Sequence, residues 1–155
     1  MGAACARLLA HRGYHLALFA RGSELSELAT ELDALAVTGD VADPVAIEQL
    51  VHQTKERYGR IDAVVNNTGH AAKADLLTLT DEDWHHGLDL LLLNVIRLAR
   101  LVTPIMLAQK SSGVFVNTSR LLSRASAFRC QRPFALVSAR SQSFMSSSTG
   151  PAGSG

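Results

Sequence analysis

Short apolar runs and helical repeats alternate from the start of the chain. Residues 3–11 are small and mostly apolar and end at Gly13, and residues 14–20 then alternate as a strand does. Leucines at positions 25, 28 and 32 recur at helical spacing behind Ser23, a residue suited to cap a helix. This order predicts a helix, a strand and a second helix.

The alternation continues to about residue 117. Residues 34–37 and 61–65 are predicted strands, and a helix opening at Asp43-Pro44 and stopping at Tyr58-Gly59 separates them. Thr80, followed by carboxylates, predicts a helix running through Asn94 toward residue 101 and interrupted near Pro104, with Trp84 anchoring it on the sheet. Residues 114–116 form the last predicted strand. Strands that alternate with helices predict an α/β fold with a doubly wound parallel sheet.

Beyond Arg120 the pattern changes. Serine and arginine dominate, the periodicity fades, and residues 146–155 form a low-complexity tail with little apolar surface to bury. We therefore expect two regions, an α/β domain over residues 1–120 and an irregular or disordered tail over residues 121–155.

The charges are unevenly divided along the chain. All 14 acidic residues lie at or before Asp89 with 7 of the 15 lysines and arginines, so residues 1–89 carry −7 and the remainder carries +8. The cations of the basic part are spaced singly without interleaved aromatic residues, a pattern that does not favour nucleic-acid binding.

Several features favour a protein of the reducing cytoplasm. Cys5 and Cys130 match no zinc or redox spacing, and no signal-peptide pattern is present. The longest apolar stretch, residues 90–93, is far shorter than the roughly 20 residues of a membrane span, and we expect it to lie in a buried helix. His85 and His86 are adjacent and point about 100° apart on a helix, so no metal site is predicted.

The most informative stretch is Asn66-Asn67-Thr68-Gly69, directly after the apolar run 61–65. A polar corner of this kind at the end of a buried strand is typical of a nucleotide-binding site. A plain Asn-Gly loop is the alternative interpretation.

Four markers stand in order along the chain: Gly2 with Gly13, Asp40-Val41, the Asn66–Gly69 corner, and Asn94 before Ser119. Together they resemble the short-chain dehydrogenase/reductase family over roughly residues 1–119. The resemblance implies a Rossmann-like fold and an NAD(P)-dependent oxidoreductase acting on a small-molecule alcohol or carbonyl substrate.

The resemblance also implies roles for the cofactor-binding residues. Gly2 would be the last glycine of the phosphate-binding turn, and Arg21 would hold a 2′-phosphate, which favours NADP with NAD as the alternative. Asp40 and Val41 would contact the adenine, and the corner residues Asn67, Thr68 and Gly69 would contact the ribose. Simpler explanations stay open: Gly2 as the residue after the initiator Met, Arg21 as a solvated cation, Asp40 as a turn cap.

Two residues are implied for catalysis. Asn94 corresponds to the asparagine that holds a water of the proton relay, and Ser119 to the first serine of Asn-x-Ser-Ser, whose second serine is Arg120 here. The Tyr-x-x-x-Lys pair of the family is missing, since the tyrosines are Tyr14 and Tyr58 and the last lysine is Lys110. We therefore expect a catalytically impaired chain or fragment; the alternative is a noncatalytic nucleotide-binding remnant or partner subunit. The helix around Asn94 is the expected surface for a homo-oligomer.

The resemblance begins after the family's first strand, which separates its second strand from its fourth. We therefore expect an incomplete sheet with two unpaired strand edges and marginal stability. A change of reading frame or an exchanged exon would account for the altered character after Arg120.

Overall fold

A computed structural model describes residues 1–69, 71, 74–110 and 112–118, and the backbone of residues 134–140. The helices are α1 (Gly2–His11), α2 (Glu24–Glu31), α3 (Pro44–Tyr58), α4 (Asp81–Leu88) and α5 (Asn94–Ala108), with a π-helical segment, Asp89–Leu93, between the last two. The strands are β1 (Tyr14–Ala20), β2 (Leu35–Thr38), β3 (Ala63–Asn67), β4 (Val114–Asn117) and β5 (Phe134–Arg140).

The strands form one sheet in the order β2-β1-β5-β3-β4. β1 pairs with β2 and β3 pairs with β4, both in parallel, with Val64 opposite Phe115. Helices pack on both faces of these strands. The predicted α/β fold with a doubly wound parallel arrangement is confirmed.

The centre of the sheet differs from the expectation of two unpaired edges. β5 lies between β1 and β3 and runs antiparallel to both, with Val137 opposite Ala17 on one side and Val64 on the other. The expectation that the tail is irregular is therefore wrong for residues 134–140. The physical reason is that β1 and β3 both present unpaired backbone groups, and an apolar segment with few helical signals satisfies them. Residues 119–133 and 141–155 of the predicted tail lie outside the described part.

Each face of the sheet carries its own apolar core. The face covered by α3 and α5 contains the larger cluster, built around Phe19, Leu50, Ile61, Val64 and Leu98. The opposite face is covered by α1 and α2, whose Ala6, Leu25 and Leu28 pack on Leu16, Leu18 and Val65. Alternating residues of β1 and β3 enter the two cores in turn, as the period of two in a strand requires.

The long helical run Asp81–Ala108 is not interrupted at Pro104, contrary to the prediction. Pro104 lies inside α5, and the irregular turn is instead the π-helical segment Asp89–Leu93. Val102 and Met106, on either side of the proline, are buried against the sheet. Their packing keeps the helix continuous although Pro104 has no backbone N–H to donate.

The outer surface of this run is more apolar than expected. Trp84 is 52% exposed, so its predicted role as an anchor on the sheet is wrong. Leu90 is buried, whereas Leu91 and Leu92 are about half exposed, so the expectation of a buried stretch holds for only part of it. By length and composition alone the 28 residues of Asp81–Ala108 could cross a membrane. One side of α5 nevertheless packs into the larger core, as a helix of a globular domain does.

Thr80 begins α4 with a capping box, and its loss gives a first prediction. The Thr80 hydroxyl accepts from the Asp83 backbone N–H, while the Asp83 carboxylate accepts from the Thr80 N–H at 3.0 Å and the hydroxyl at 2.8 Å. Thr80→Ala is expected to lower the free energy of unfolding by about 1 kcal/mol. Urea unfolding measures the change, and Thr103→Ala on the exposed side of α5 is the matched control.

The effect of Thr80→Ala should also depend on pH. The hydrogen bonds from the backbone and side chain of Thr80 hold the pKa of Asp83 below its ordinary value of 3.8. A lowered folded-state pKa stabilises the fold above the ordinary value, and the stabilisation is lost as pH falls through the lowered pKa. The difference between wild type and variant should therefore shrink in acid. A difference that grows in acid would contradict this assignment.

Candidate dinucleotide site

The carboxyl ends of β1, β2, β3 and β4 lie along one edge of the sheet, because these four strands run parallel. The residues that follow them are Arg21, Gly39, Thr68 and Thr118. α1 ends just before the start of β1, so its first residue, Gly2, lies toward the same edge. Clefts at this edge are where open α/β sheets bind ligands.

Arg21 and Asp40 form an ion pair across the ends of β1 and β2. The Arg21 Nη1 lies 3.0 Å from the Asp40 Oδ2, and the arginine side chain is about half exposed. Two residues 19 positions apart in sequence are thereby brought into one polar site at the carboxyl edge. The remaining guanidinium donors of Arg21 give this site the geometry to hold an anion.

The loop after β2 is held from two sides. The other carboxylate oxygen of Asp40 accepts from the Ala42 N–H at 2.9 Å, which closes the turn. Arg97 on α5 donates to the Ala42 carbonyl at 3.1 Å and to the Asp89 carboxylate at 2.6 Å. Val41 between them is buried in the larger core. The sequence analysis did not predict the Arg97 contact, although a cation within the apolar repeat of α5 would have indicated it.

The asparagine corner ties β3 to β4. The Asn66 amide donates to the Asn117 side-chain oxygen at 2.8 Å, and the Asn67 amide donates to the Thr118 hydroxyl at 2.7 Å. The Thr118 hydroxyl and backbone N–H both bond to the Asn66 carbonyl. Asn117 and Thr118 were not among the predicted site residues, although their position after a neighbouring parallel strand would have indicated them.

The corner also places the partly exposed Asn67, Thr68 and Gly69 at the carboxyl edge, as the sequence analysis expects. The predicted catalytic residue Ser119 directly follows Thr118 and lies outside the described residues.

Asn94 faces the interior. Its side chain is 1% exposed, and its amide donates to the Leu90 carbonyl at 2.7 Å within the helix. Its Oδ1, like that of Asn66, is buried with no hydrogen-bond partner. A buried acceptor without a donor costs about 1–3 kcal/mol. No described hydrogen bond joins Asn94 to the pair of Arg21 and Asp40.

Neither tyrosine lies at the carboxyl edge. The Tyr58 hydroxyl donates to the Leu16 carbonyl at 3.0 Å and accepts from the Leu35 N–H at 3.2 Å, so it links α3 to two strands. Tyr14 is the first residue of β1 and lies at the opposite edge. The described part of the chain therefore presents no phenol to the candidate site.

A family model described as enoyl-(acyl carrier protein) reductase matches residues 1–133 of this chain. Oxidoreductase UcpA of Escherichia coli strain K12 is 32% identical over 124 residues, which cover 77% of this chain and 47% of that protein. A 3-oxoacyl-[acyl-carrier-protein] reductase of Synechocystis is 37% identical over 87 residues, covering 56% of this chain and 35% of that protein.

Solved structures show the same likeness. The L-sorbose reductase of Gluconobacter frateurii, complexed with NADPH and L-sorbose, matches with a TM-score of 0.69 at 30% identity, over 75% of this chain and 47% of that one. A short-chain dehydrogenase/reductase described as putative, from Burkholderia xenovorans, matches with a TM-score of 0.63 at 29% identity, over 75% and 46% of the two chains. These matches span 35–47% of the relatives' own lengths. These likenesses establish that the chain belongs to the short-chain dehydrogenase/reductase family of oxidoreductases.

Proposed function

We propose that this chain binds a nicotinamide adenine dinucleotide at the carboxyl edge of its sheet, as part of an oxidoreductase acting on an alcohol or carbonyl compound. The observation that carries the proposal is the pair of Arg21 and Asp40, which links two strand ends at the place where the adenosine half of a dinucleotide would lie. The corner at Asn67 supplies polar groups further along the same edge.

The cofactor that fits this site better is NADP. Arg21 is held by one of its nitrogens to Asp40, and its other donors can bond a 2′-phosphate in the manner of a guanidinium fork. The NADPH complex of L-sorbose reductase supports this choice by likeness. NAD is the second candidate, because Asp40 itself is a carboxylate able to accept from a ribose hydroxyl.

The described residues supply polar groups for cofactor binding but not the groups that proton transfer requires. Proton transfer to a carbonyl in this type of reaction needs an acid with a pKa matched to the working pH. The described edge offers the hydroxyl of Thr118 but no phenol or lysine. We therefore propose that this chain binds the cofactor without turning over substrate unaided, and Ser119 remains a proposed contact to the substrate.

A noncatalytic partner subunit is the second candidate function. The exposed apolar side chains of α4 and the π-helical segment favour it, because Trp84, Leu88, Leu91 and Leu92 are each about half exposed on one helical run. A homo-oligomer through the helix around Asn94 would cover them. We also propose that the protein is located in the cytoplasm.

Two measurements test whether this chain binds the cofactor and whether it turns over substrate unaided. Binding of NADPH and NADH is followed by calorimetry, and oxidation of each is then followed at saturating cofactor with a panel of aldehydes and ketones. Binding without oxidation supports the proposal as stated. Oxidation would contradict the proposed lack of turnover, and failure of both nucleotides to bind would overturn the dinucleotide site.

Arg21→Ala provides a sharper test of cofactor choice. Loss of a charged hydrogen bond to a phosphate costs about 1.5–3 kcal/mol, so the affinity for NADPH should fall roughly 10- to 100-fold while that for NADH changes little. Arg12→Ala, at the end of α1 on the opposite edge, is the matched control. An equal loss for both nucleotides would show that Arg21 does not contact the 2′-phosphate.

A further inference from the structure

Arg97 joins the long helical run to the loop that follows β2. Its Nη1 donates to the Ala42 carbonyl at 3.1 Å, and its Nη2 donates to the Asp89 carboxylate at 2.6 Å. The arginine side chain is only 25% exposed, so solvent and salt screen both bonds less than they would at an open surface. Arg97 therefore holds the loop against the helix by two charged hydrogen bonds.

The π-helical segment Asp89–Leu93 explains how Asp89 and Arg97 meet. They are eight positions apart, and in a regular α-helix that spacing would turn their side chains about 80° away from each other. A π-helical turn takes up one extra residue, so the two positions are separated by about two full turns and face the same way. Side chains on a helix also lean toward its N-terminus, which lets Arg97 reach back to Asp89.

The bond to Ala42 acts on the turn that presents Asp40. The Ala42 N–H donates to the Asp40 Oδ1 at 2.9 Å, and the Asp43 N–H donates to the Asp40 carbonyl at 3.0 Å, which closes the turn. The other carboxylate oxygen of Asp40 accepts from Arg21 at 3.0 Å. A series of hydrogen bonds thus runs from Arg97 through the turn to Arg21.

We propose that Arg97 is a positioning residue for the adenosine end of the candidate dinucleotide site. It does not contact the dinucleotide; it holds the turn of Asp40, so that the carboxylate stays in place to orient Arg21. A group that is ordered before its ligand arrives does not have to be ordered on binding, which raises the affinity. The inference rests on the proposed function, because it gives Arg97 a part in that same site.

Arg97→Ala should lower the affinity for NADPH about 3- to 10-fold, as measured by calorimetry. Arg100→Ala is the matched control, because it removes the same charge from an exposed position of the same helix and should leave the affinity unchanged. An equal loss in both variants would show a general effect of charge and would overturn the proposal.

Asp89→Ala distinguishes positioning from direct contact. If Arg97 holds the turn, the affinity for NADPH should fall, because the arginine loses the carboxylate that keeps it in place. If Arg97 contacted a phosphate of the dinucleotide itself, removal of a neighbouring negative charge would strengthen binding of the anion. A rise in affinity would therefore overturn the proposal.

Amide hydrogen exchange tests the turn without any nucleotide. In Arg97→Ala the amides of Ala42 and Asp43 should exchange severalfold faster than in the wild type. The amide of Leu18, a fully buried residue of β1, should keep its rate, which also shows that the variant remains folded.

Unchanged exchange at Ala42 would overturn the proposal, because Arg97 would then not hold the turn. Faster exchange with the NADPH affinity of the wild type would overturn it as well, because the turn would then not position the site. Failure of the wild type to bind NADPH or NADH would overturn the proposed function and with it the part of Arg97 in binding. The exchange rates would still show in that case whether Arg97 holds the turn.

Discussion

Val137→Pro is expected to abolish the cooperative unfolding transition of this chain. Val137 lies at the middle of β5, with Ala17 and Val64 as its backbone partners on either side. In a strand paired along both edges every backbone N–H is used, and proline removes one while its ring obstructs the neighbouring strand. The lost pairing costs several kcal/mol against a typical net stability of 5–15 kcal/mol, and it separates the two halves of the sheet.

Val137→Ala is the matched control, because alanine keeps the backbone donor. Urea unfolding followed by circular dichroism should show a sigmoidal transition for the alanine variant and a sloping, noncooperative signal for the proline variant. Equal transitions in the two variants would show that residues 134–140 do not complete the sheet.

The elements of the parallel sheet follow from local patterns. The alternation of Tyr14–Ala20, the capping signals at Asp43-Pro44 and Thr80, and the left-handed Gly59 that ends α3 act over a few residues, and each specifies its element without distant partners. The parallel order then follows, because helices separate the strands.

The position of β5 could not be inferred in this way. Residues 134–140 carry no strong local signal, and their conformation is set by hydrogen bonds to β1 and β3, which lie far away in sequence. The π-helical segment Asp89–Leu93 also has no evident local signal, because it lies in an otherwise regular leucine repeat.

Part of the candidate site follows from local sequence patterns, and part depends on how distant elements pack. Arg21 and Asp40 come after their strands and the Asn66–Gly69 corner spans the end of β3, so the parallel topology brings all of them to one edge. The bond from Arg97 to Ala42 depends on how α5 crosses the sheet, which the periodicity of a single helix does not specify. Whether the predicted residues contact a dinucleotide stays a prediction.

Gly39→Ala should destabilise the fold and weaken dinucleotide binding together. Gly39 joins β2 to Asp40, and a Cβ built on it would lie 2.7 Å from the Phe19 Cε2 and 2.8 Å from the Ala46 Cβ. Phe19 is fully buried in the larger core and cannot move away without disturbing its neighbours. Overpacking of this kind costs about 1–3 kcal/mol of unfolding free energy.

The added Cβ should also shift the backbone at Gly39 and with it the candidate site. Asp40 directly follows Gly39 and bonds both Arg21 and Ala42. A second substitution, Phe19→Leu, makes room for the new methyl group. In a double-mutant cycle it should therefore cost less in the Gly39→Ala background than in the wild type. Gly87→Ala is the control, because the nearest atom to its added Cβ is the Ala71 Cβ at 3.2 Å, outside the sheet. Additive effects of Gly39→Ala and Phe19→Leu on the free energy of unfolding would contradict the contact between the added Cβ and Phe19. A lower stability of Gly39→Ala with unchanged NADPH affinity would place the dinucleotide away from Asp40.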